Sequence, residues 1–180
     1  MNVIQTAIPD VLIVEPKVFT DARGFFYESF NKKAMQAAGM AGDFVQDNHS
    51  RSTRNVLRGL HYQIMQPQGK LVRAVAGEIF DVAVDIRRRS PTFGKWVGMN
   101  LSAENRRMAW IPPGFAHGFL VLSEHAEVLY KTTDYWAPQF ERTIVWNDRD
   151  LAIAWPTGEE PHLSAKDKSG AAFNEAEIFE

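Results

Sequence analysis

Apolar residues in this chain recur mostly at every second position in short runs, separated by turn-forming residues at fairly regular intervals. That is the period of a strand, in which successive side chains point to opposite faces. Runs rich in β-branched and aromatic residues at 11–14, 25–30, 44–48, 70–76, 79–86, 96–101, 107–111, 118–122 and 128–133 predict strands. The run Arg58-Gly59-Leu60-His61-Tyr62-Gln63 also reads as strand. The clearest alternation lies in 79–86, where Phe80, Val82, Val84 and Ile86 share one face and Asp81 and Asp85 the other, predicting a core side and a polar side. Residues 31–38, closed by Gly39, predict a helix, and a weaker helical segment follows Ser164. Many short strands with few helices predict an all-β sandwich or barrel. No short-period repeat, low-complexity tract or linker divides the chain, so residues 1–180 are expected to form one domain.

Composition narrows the classes. A length of 180 residues suits one domain with a sizeable core. No apolar run approaches the roughly 20 residues that span a bilayer, so no membrane partner is expected. The N-terminus lacks the basic start and apolar stretch of a secretion signal, and there is no cysteine, so a cytoplasmic location is expected and thiol chemistry is excluded. A formal charge of -2 gives no general attraction to nucleic acid; any anion must be held by a few placed arginines and lysines.

Two turn-and-histidine segments carry the candidate chemistry. His61 stands between Arg58 and Gln63, and His117 follows the tight turn Pro112-Pro113-Gly114. An isolated strand histidine is more often a satisfied core residue than a catalytic one, but two such units suggest one pocket with two walls. Residues 64–69 have the composition of a connecting loop, which predicts a hairpin that returns Lys70 beside His61. A histidine near its ordinary pKa of about 6.5 suits proton abstraction at neutral pH, and an ammonium beside it can stabilise a developing oxyanion. Together they point to enolisation. The competing reading is a metal site, because Pro112-x-Gly114-x-x-His117 resembles the second motif of the cupin superfamily, small β-barrels many of which bind iron, manganese or nickel. Metal-binding cupins carry a second histidine where Gln63 stands, and the glutamate of their first motif has no counterpart here. His61 and His117 without a third ligand do not make a usual catalytic metal site, so no metal is expected.

Over nearly its full length the chain resembles the dTDP-4-dehydrorhamnose 3,5-epimerases, a cupin family. The resemblance rests on Asp21-Ala22-Arg23-Gly24-Phe25-Phe26, Phe44-Val45-Gln46-Asp47-Asn48-His49-Ser50, Val56-Leu57-Arg58-Gly59-Leu60-His61, Gly69-Lys70-Leu71-Val72-Arg73 and the run from Phe80 to Arg87. It continues through Ser90-Pro91-Thr92-Phe93-Gly94, the segment from Ile111 to Phe119, Leu129-Tyr130-Lys131 and Leu163-Ser164-Ala165-Lys166-Asp167. It implies a cupin-type jelly-roll β-barrel that inverts C3 and C5 of a 4-keto-6-deoxyhexose on thymidine diphosphate, in dTDP-rhamnose biosynthesis, without cofactor or metal. It assigns the base to His61, the opposing acid to Tyr130, the C4-oxygen contact to Lys70 and the partner of His61 to Asp167; the strand pattern alone offers Asp81, on the polar face of 79–86, as the other candidate for that carboxylate. The resemblance implies a nucleotide-sugar site of Arg23, Glu28, Gln46, Asp47, Asn48, Arg58, Lys70, His117, Glu141 and Lys166. Aromatic residues such as Phe26 and Tyr135 are candidates to sandwich thymine or, equally, to pack in the core. The resemblance also implies a homodimer in which an N-terminal strand crosses to the partner, so that Arg23 and Glu28 act in trans. Two alternatives stay open: an epimerase of one carbon only, and a non-catalytic cupin that binds a sugar nucleotide.

Overall fold

The computed structural model describes residues 1–40 and 42–180. Among the described residues the strands run in the order β1 (Asn2–Gln5), β2 (Leu12–Glu15), β3 (Phe19–Asp21), β4 (Gly24–Phe26), β5 (Gln46–Thr53), β6 (Leu57–Gln63), β7 (Lys70–Ala76), β8 (Glu78–Asp85), β9 (Trp96–Ser102), β10 (Met108–Ile111), β11 (Phe115–Val121), β12 (His125–Thr132) and β13 (Glu141–Thr143). Of two short helices, α1 (Lys32–Ala37) lies between β4 and β5, and α2 (Ala165–Lys168) follows β13. Each helix begins on a side-chain cap: Asn31 accepts from the Ala34 N–H and Ser164 from the Asp167 N–H. Among the described residues no helix is long and apolar enough to cross a membrane.

The strands form an antiparallel six-stranded sheet, β1-β2-β10-β7-β12-β5, facing a five-stranded sheet, β13-β6-β11-β8-β9, with β3 and β4 as a separate ribbon. This is the expected all-β jelly-roll barrel. Between the sheets lies an apolar core that includes Val72, Ala74, Ile79, Ala83, Phe115, Phe119 and Val128. A second core covers the outer face of the five-stranded sheet, where Leu57, Leu60, Val82, Val84 and Ile86 meet Ile144, Leu151 and Trp155. A third, around Met35, Met40, Leu71, Met108 and Trp110, lies between α1 and the six-stranded sheet.

One expectation is corrected and another is made specific. First, Lys70 does not return by a hairpin: β6 belongs to the five-stranded sheet and β7 to the six-stranded one, so residues 64–69 cross between sheets. Lys70 still meets His61, with Nζ donating to the His61 carbonyl at 3.2 Å, because the two residues face each other across the barrel. Second, the expected polar face of β8 turns to the inside of the barrel. Asp81 and Asp85 are fully buried inside the barrel, while Val82, Val84 and Ile86 are buried on the other side by the C-terminal segment. Asp85 is held there by Arg87, Ser90 and Thr92. Although burial opposes its charge, these hydrogen bonds keep its carboxyl at about 2.

Strand boundaries also moved. The run at 25–30 pairs only through Phe26 before the chain enters the cap of α1, and β13, unmarked by any apolar run, adds to the edge of β6. Strand β5 continues to Thr53 through a polar stretch, because its inward residues line a cavity rather than the apolar core.

Candidate active site

A cavity of about 290 Å³ opens between the sheets at one end of the barrel. The five-stranded sheet contributes Arg58, His61, His117, Phe119 and Glu141; the six-stranded sheet contributes Gln46, Asn48, Ser50, Lys70 and Tyr130. Gln68 and Trp136 complete the wall from connecting segments, and Lys166 from α2. The Ser50 hydroxyl has no hydrogen-bond partner among the described residues.

The two histidines are register neighbours on β6 and β11. Close approach of these strands depends on Gly59, whose φ of +130° disfavours any side chain and whose added Cβ would lie 2.5 Å from the Gly118 Cα. His61 Nε2 lies 2.6 Å from Asp167 Oδ1. The same oxygen accepts from the Gly59 N–H at 3.3 Å, and Ser164 Oγ donates to Oδ2 at 2.6 Å. Burial opposes the Asp167 charge, but the hydrogen bonds from His61 and Ser164 overcome it and hold the carboxyl at about 2. Burial also pushes the His61 imidazole below its ordinary value, outweighing the opposing pull of Asp167, and the charges of Lys166 and Lys70 add to the lowering. At neutral pH the pair is therefore a neutral imidazole on a carboxylate. A carboxylate only accepts, so the ring proton is assigned to Nε2 and Nδ1 is left as the basic nitrogen.

The second pair differs. His117 Nε2 lies 2.8 Å from Asp81 Oδ1, and Asp81 Oδ2 has no hydrogen-bond partner among the described residues. Lys70 is buried beside His61, with its Nζ on the His61 carbonyl. Desolvation pulls its ammonium down to about 8, against the charges of Asp81 and Glu141. Tyr130 rises from β12 on the facing sheet, and burial, reinforced by Glu141, pushes its phenol above the ordinary tyrosine value. It keeps its proton at neutral pH. Lys166 Nζ pairs with Glu141 at 2.8 Å across the cavity rim, and Arg58 Nε donates to Ser50's neighbour but one, Ser52, at 3.0 Å.

Of the site residues expected from sequence, the cavity brings together Gln46, Asn48, Arg58, His61, Lys70, His117, Tyr130, Glu141 and Lys166, with Asp167 behind His61. It leaves out three. Asp47 alternates to the outer face of β5 and pairs with Lys131 at 2.9 Å. Arg23 lies on the exposed β3–β4 ribbon, paired with Asp21, and Glu28 accepts from Asn31 beside α1. Asp81, weighed as the partner of His61, serves His117 instead. Among the aromatics, Trp136 lines the cavity where Tyr135 was the candidate, and Phe26 belongs to the ribbon. Ser164 was missed as a partner of Asp167, although Ser-x-x-Asp ahead of a short helix is a capping signal. Among the described residues no three histidine, aspartate or glutamate side chains converge as a metal-ion site.

The comparisons with known proteins agree in kind. The family model described as dTDP-4-dehydrorhamnose 3,5-epimerase matches residues 5–175. The chain is 65% identical to the dTDP-4-dehydrorhamnose 3,5-epimerase of Pseudomonas aeruginosa over 99% of both chains, and 62% identical to that of Shigella flexneri, again over 99% of each. Its fold superposes with a TM-score of 0.96 on the crystal structure of dTDP-6-deoxy-D-glucose-3,5-epimerase from Legionella pneumophila Philadelphia 1 in complex with dTDP-4-keto-L-rhamnose, at 56% identity, covering 98% of this chain and 94% of that one. With a barrel of this topology, a matched model over almost the whole chain and relatives this similar from end to end, the chain belongs to the dTDP-4-dehydrorhamnose 3,5-epimerase family.

Proposed function

We propose that this chain inverts C3 and C5 of dTDP-4-dehydro-6-deoxy-D-glucose, giving dTDP-4-dehydro-L-rhamnose. The observation that carries the mechanism is the split of the acid–base groups between the two sheets: His61, backed by Asp167 of α2, stands on the five-stranded sheet, Tyr130 on the sheet facing it, and Lys70 donates to the His61 carbonyl. Inversion needs removal of a proton from one face of the sugar ring and delivery to the other, which two groups on opposite walls provide.

In this mechanism Nδ1 of His61 takes the proton from the carbon beside the C4 ketone. The electron pair moves onto the ketone oxygen, where the Lys70 ammonium stabilises the enolate. Tyr130 then gives its proton to the opposite face of the same carbon. One inversion leaves His61 protonated and Tyr130 ionised, and proton exchange with water restores both. Because C3 and C5 both flank C4, the same groups serve each carbon in turn. Arg58 and Lys166 are the cations assigned to the diphosphate, arginine because its planar fork matches phosphate oxygens. Gln46, Asn48, His117 and Glu141 are assigned to the nucleotide sugar, and the exposed indole of Trp136 offers thymine a flat surface.

The reading includes a cytoplasmic homodimer in which Arg23 and Glu28 act in the partner's cavity. Its support is the β3–β4 ribbon, whose residues Phe19 to Asp21 and Gly24 to Phe26 are all exposed within one chain although three of them are phenylalanines. A sedimentation measurement that finds a monomer under assay conditions removes that part.

The test of the reaction is incubation with the 4-keto-6-deoxyglucose nucleotide in heavy water, followed by NMR of the sugar. Deuterium is expected at both C3 and C5; label at C3 alone replaces the double epimerase with the single-carbon alternative. His61→Ala should abolish exchange at both carbons, whereas Tyr130→Phe should exchange without inverting. Equal loss of exchange and inversion in the tyrosine variant would overturn the division between base and acid.

A further inference from the structure

Gln63 lies two residues beyond His61 on the same inward face of β6, opposite Glu141, yet it is 4 % exposed and does not line the cavity. Its side-chain amide is fully used elsewhere. Nε2 donates to the carbonyls of Gln66 at 2.8 Å and Tyr135 at 3.2 Å, and Oε1 accepts from the Ala137 N–H at 2.8 Å. The two backbone groups on either side of Trp136 are thus tied to one buried side chain. Gln46 Oε1 takes the Trp136 N–H itself at 3.0 Å, and Gln68 Nε2 donates to the Asp134 carbonyl at 2.8 Å.

These bonds matter because residues 133–137 form neither helix nor strand, while Trp136 is 59 % exposed. An irregular segment carrying a large exposed aromatic has little apolar packing to order it, so its conformation is set by whatever satisfies its backbone. Here that is a buried amide rooted in a central strand. Both amide protons and the carbonyl are engaged with good distances, which also fixes the orientation of the amide group. A flat surface contributes to binding in proportion to how well it is held before the ligand arrives.

We infer that Gln63 is a positioning residue, one that carries the rigidity of β6 into the 133–137 segment and so sets Trp136 as the aromatic wall of the cavity. This rests on the nucleotide-sugar reading proposed above. The position that would carry a second metal-binding histidine in other cupins is in this chain a clamp on the substrate wall.

The experiment is a double-mutant cycle on the full chain, with KM for the nucleotide sugar and Kd for dTDP as readouts. Gln63→Met keeps the length of the side chain and removes all three hydrogen bonds. It should raise both constants about tenfold, the scale of losing one base–aromatic stack, with the loss falling on KM rather than kcat. Trp136→Ala should raise them by a similar factor, and in the Trp136→Ala background Gln63→Met should cost nothing more. Equal costs of Gln63→Met in both backgrounds overturn the inference, and so does a loss confined to kcat, which would place Gln63 behind His61 instead. If Trp136→Ala leaves both constants unchanged, it is the reading of the cavity that fails, whatever Gln63 does. Should Gln63→Met not fold, Gln63→Glu keeps the acceptor for Ala137 and replaces two donors by repulsion against two carbonyls; it should raise KM in the same way, and an unchanged KM refutes the clamp.

Discussion

Two histidines stand side by side on β6 and β11, each hydrogen-bonded to a carboxylate, yet the two pairs are built from different materials. Asp81 reaches His117 from β8, the strand directly paired with β11, so that pair forms within one sheet. Asp167 reaches His61 from α2, more than a hundred residues along the chain, and is tied by Ser164 and the Gly59 N–H as well. The Asp167 carboxylate is therefore fully satisfied and stays charged, whereas Asp81 leaves one oxygen without a partner among the described residues. Exposure differs in the same sense: the His61 side chain is 25% exposed and that of His117 8%. A proton acceptor has to reach its substrate and keep one tautomer, and the His61 pair has both properties. The His117 pair is the more enclosed, and its carboxylate has a second charge to serve, that of Lys70.

The largest expected effect that sharpens this contrast is from Asp167→Asn. An amide can donate to Nε2 and stabilise the wrong tautomer, so kcat should fall by roughly 10²- to 10⁴-fold, with His61 still in place. Steady-state rates with deuterium exchange decide it: an exchange rate near that of the unaltered enzyme would show that the carboxylate is not needed by the base. Next comes Lys70→Met, expected to lower kcat by about 10²- to 10³-fold through loss of the oxyanion contact. The same variant should be more stable to heat at pH 7. Lys70 releases its proton near 8 when folded but near 10.5 when unfolded, so the cost of burying its charge is complete below 8 and is relieved as pH rises towards 10.5. Thermal melts at pH 7 and pH 10 should show the gain shrink at the higher pH; a destabilised variant at pH 7 contradicts this account.

The smallest effect is expected from Asp81→Asn, less than about tenfold in kcat at pH 7, since it touches neither base nor acid directly. Its signature is the pH profile. In the unaltered enzyme kcat/KM should rise as His61 becomes neutral, below the ordinary histidine value of about 6.5, and fall as Lys70 loses its proton near 8. Removing the Asp81 charge takes away the largest influence holding the Lys70 pKa up, so the alkaline limb should move to lower pH. Asp167→Asn should leave that limb in place. A shift of the alkaline limb in the Asp167 variant, and none in the Asp81 variant, would reverse the roles of the two carboxylates.

Strands β7 and β8 were legible from the alternation of their residues, and α1 from its closing glycine, since these are local signals. Strand β5 was legible only in part. Beyond Asn48 it reads Ser-Arg-Ser-Thr after His49, with no apolar side at all, because one face turns outward and the other faces a polar cavity. The alternation of β8 was legible, but not which way its polar face turns: it points to the inside of the barrel, where Asp81 and Asp85 are compensated by His117 and by Arg87. Tyr135 and Trp136 are adjacent aromatics with similar exposure, and nothing local distinguishes the one that lines the cavity. The choice is made by hydrogen bonds from Gln46, Gln63 and Gln68, which come from elsewhere in the chain.

By itself the sequence determined most of the segments that extend, because a two-residue period commits alternate side chains to opposite faces whatever the strand pairs with. Its motifs, through the family they resemble, also marked His61, Lys70, Tyr130 and Asp167 as belonging to one site. The tertiary structure alone decided how they meet. Lys70 joins His61 by crossing between sheets rather than by a turn, and Asp167 joins it because a four-residue helix packs behind β6. Residues distant along the chain are brought together by the burial of apolar faces shared between sheets, and no local period records which face will close on which.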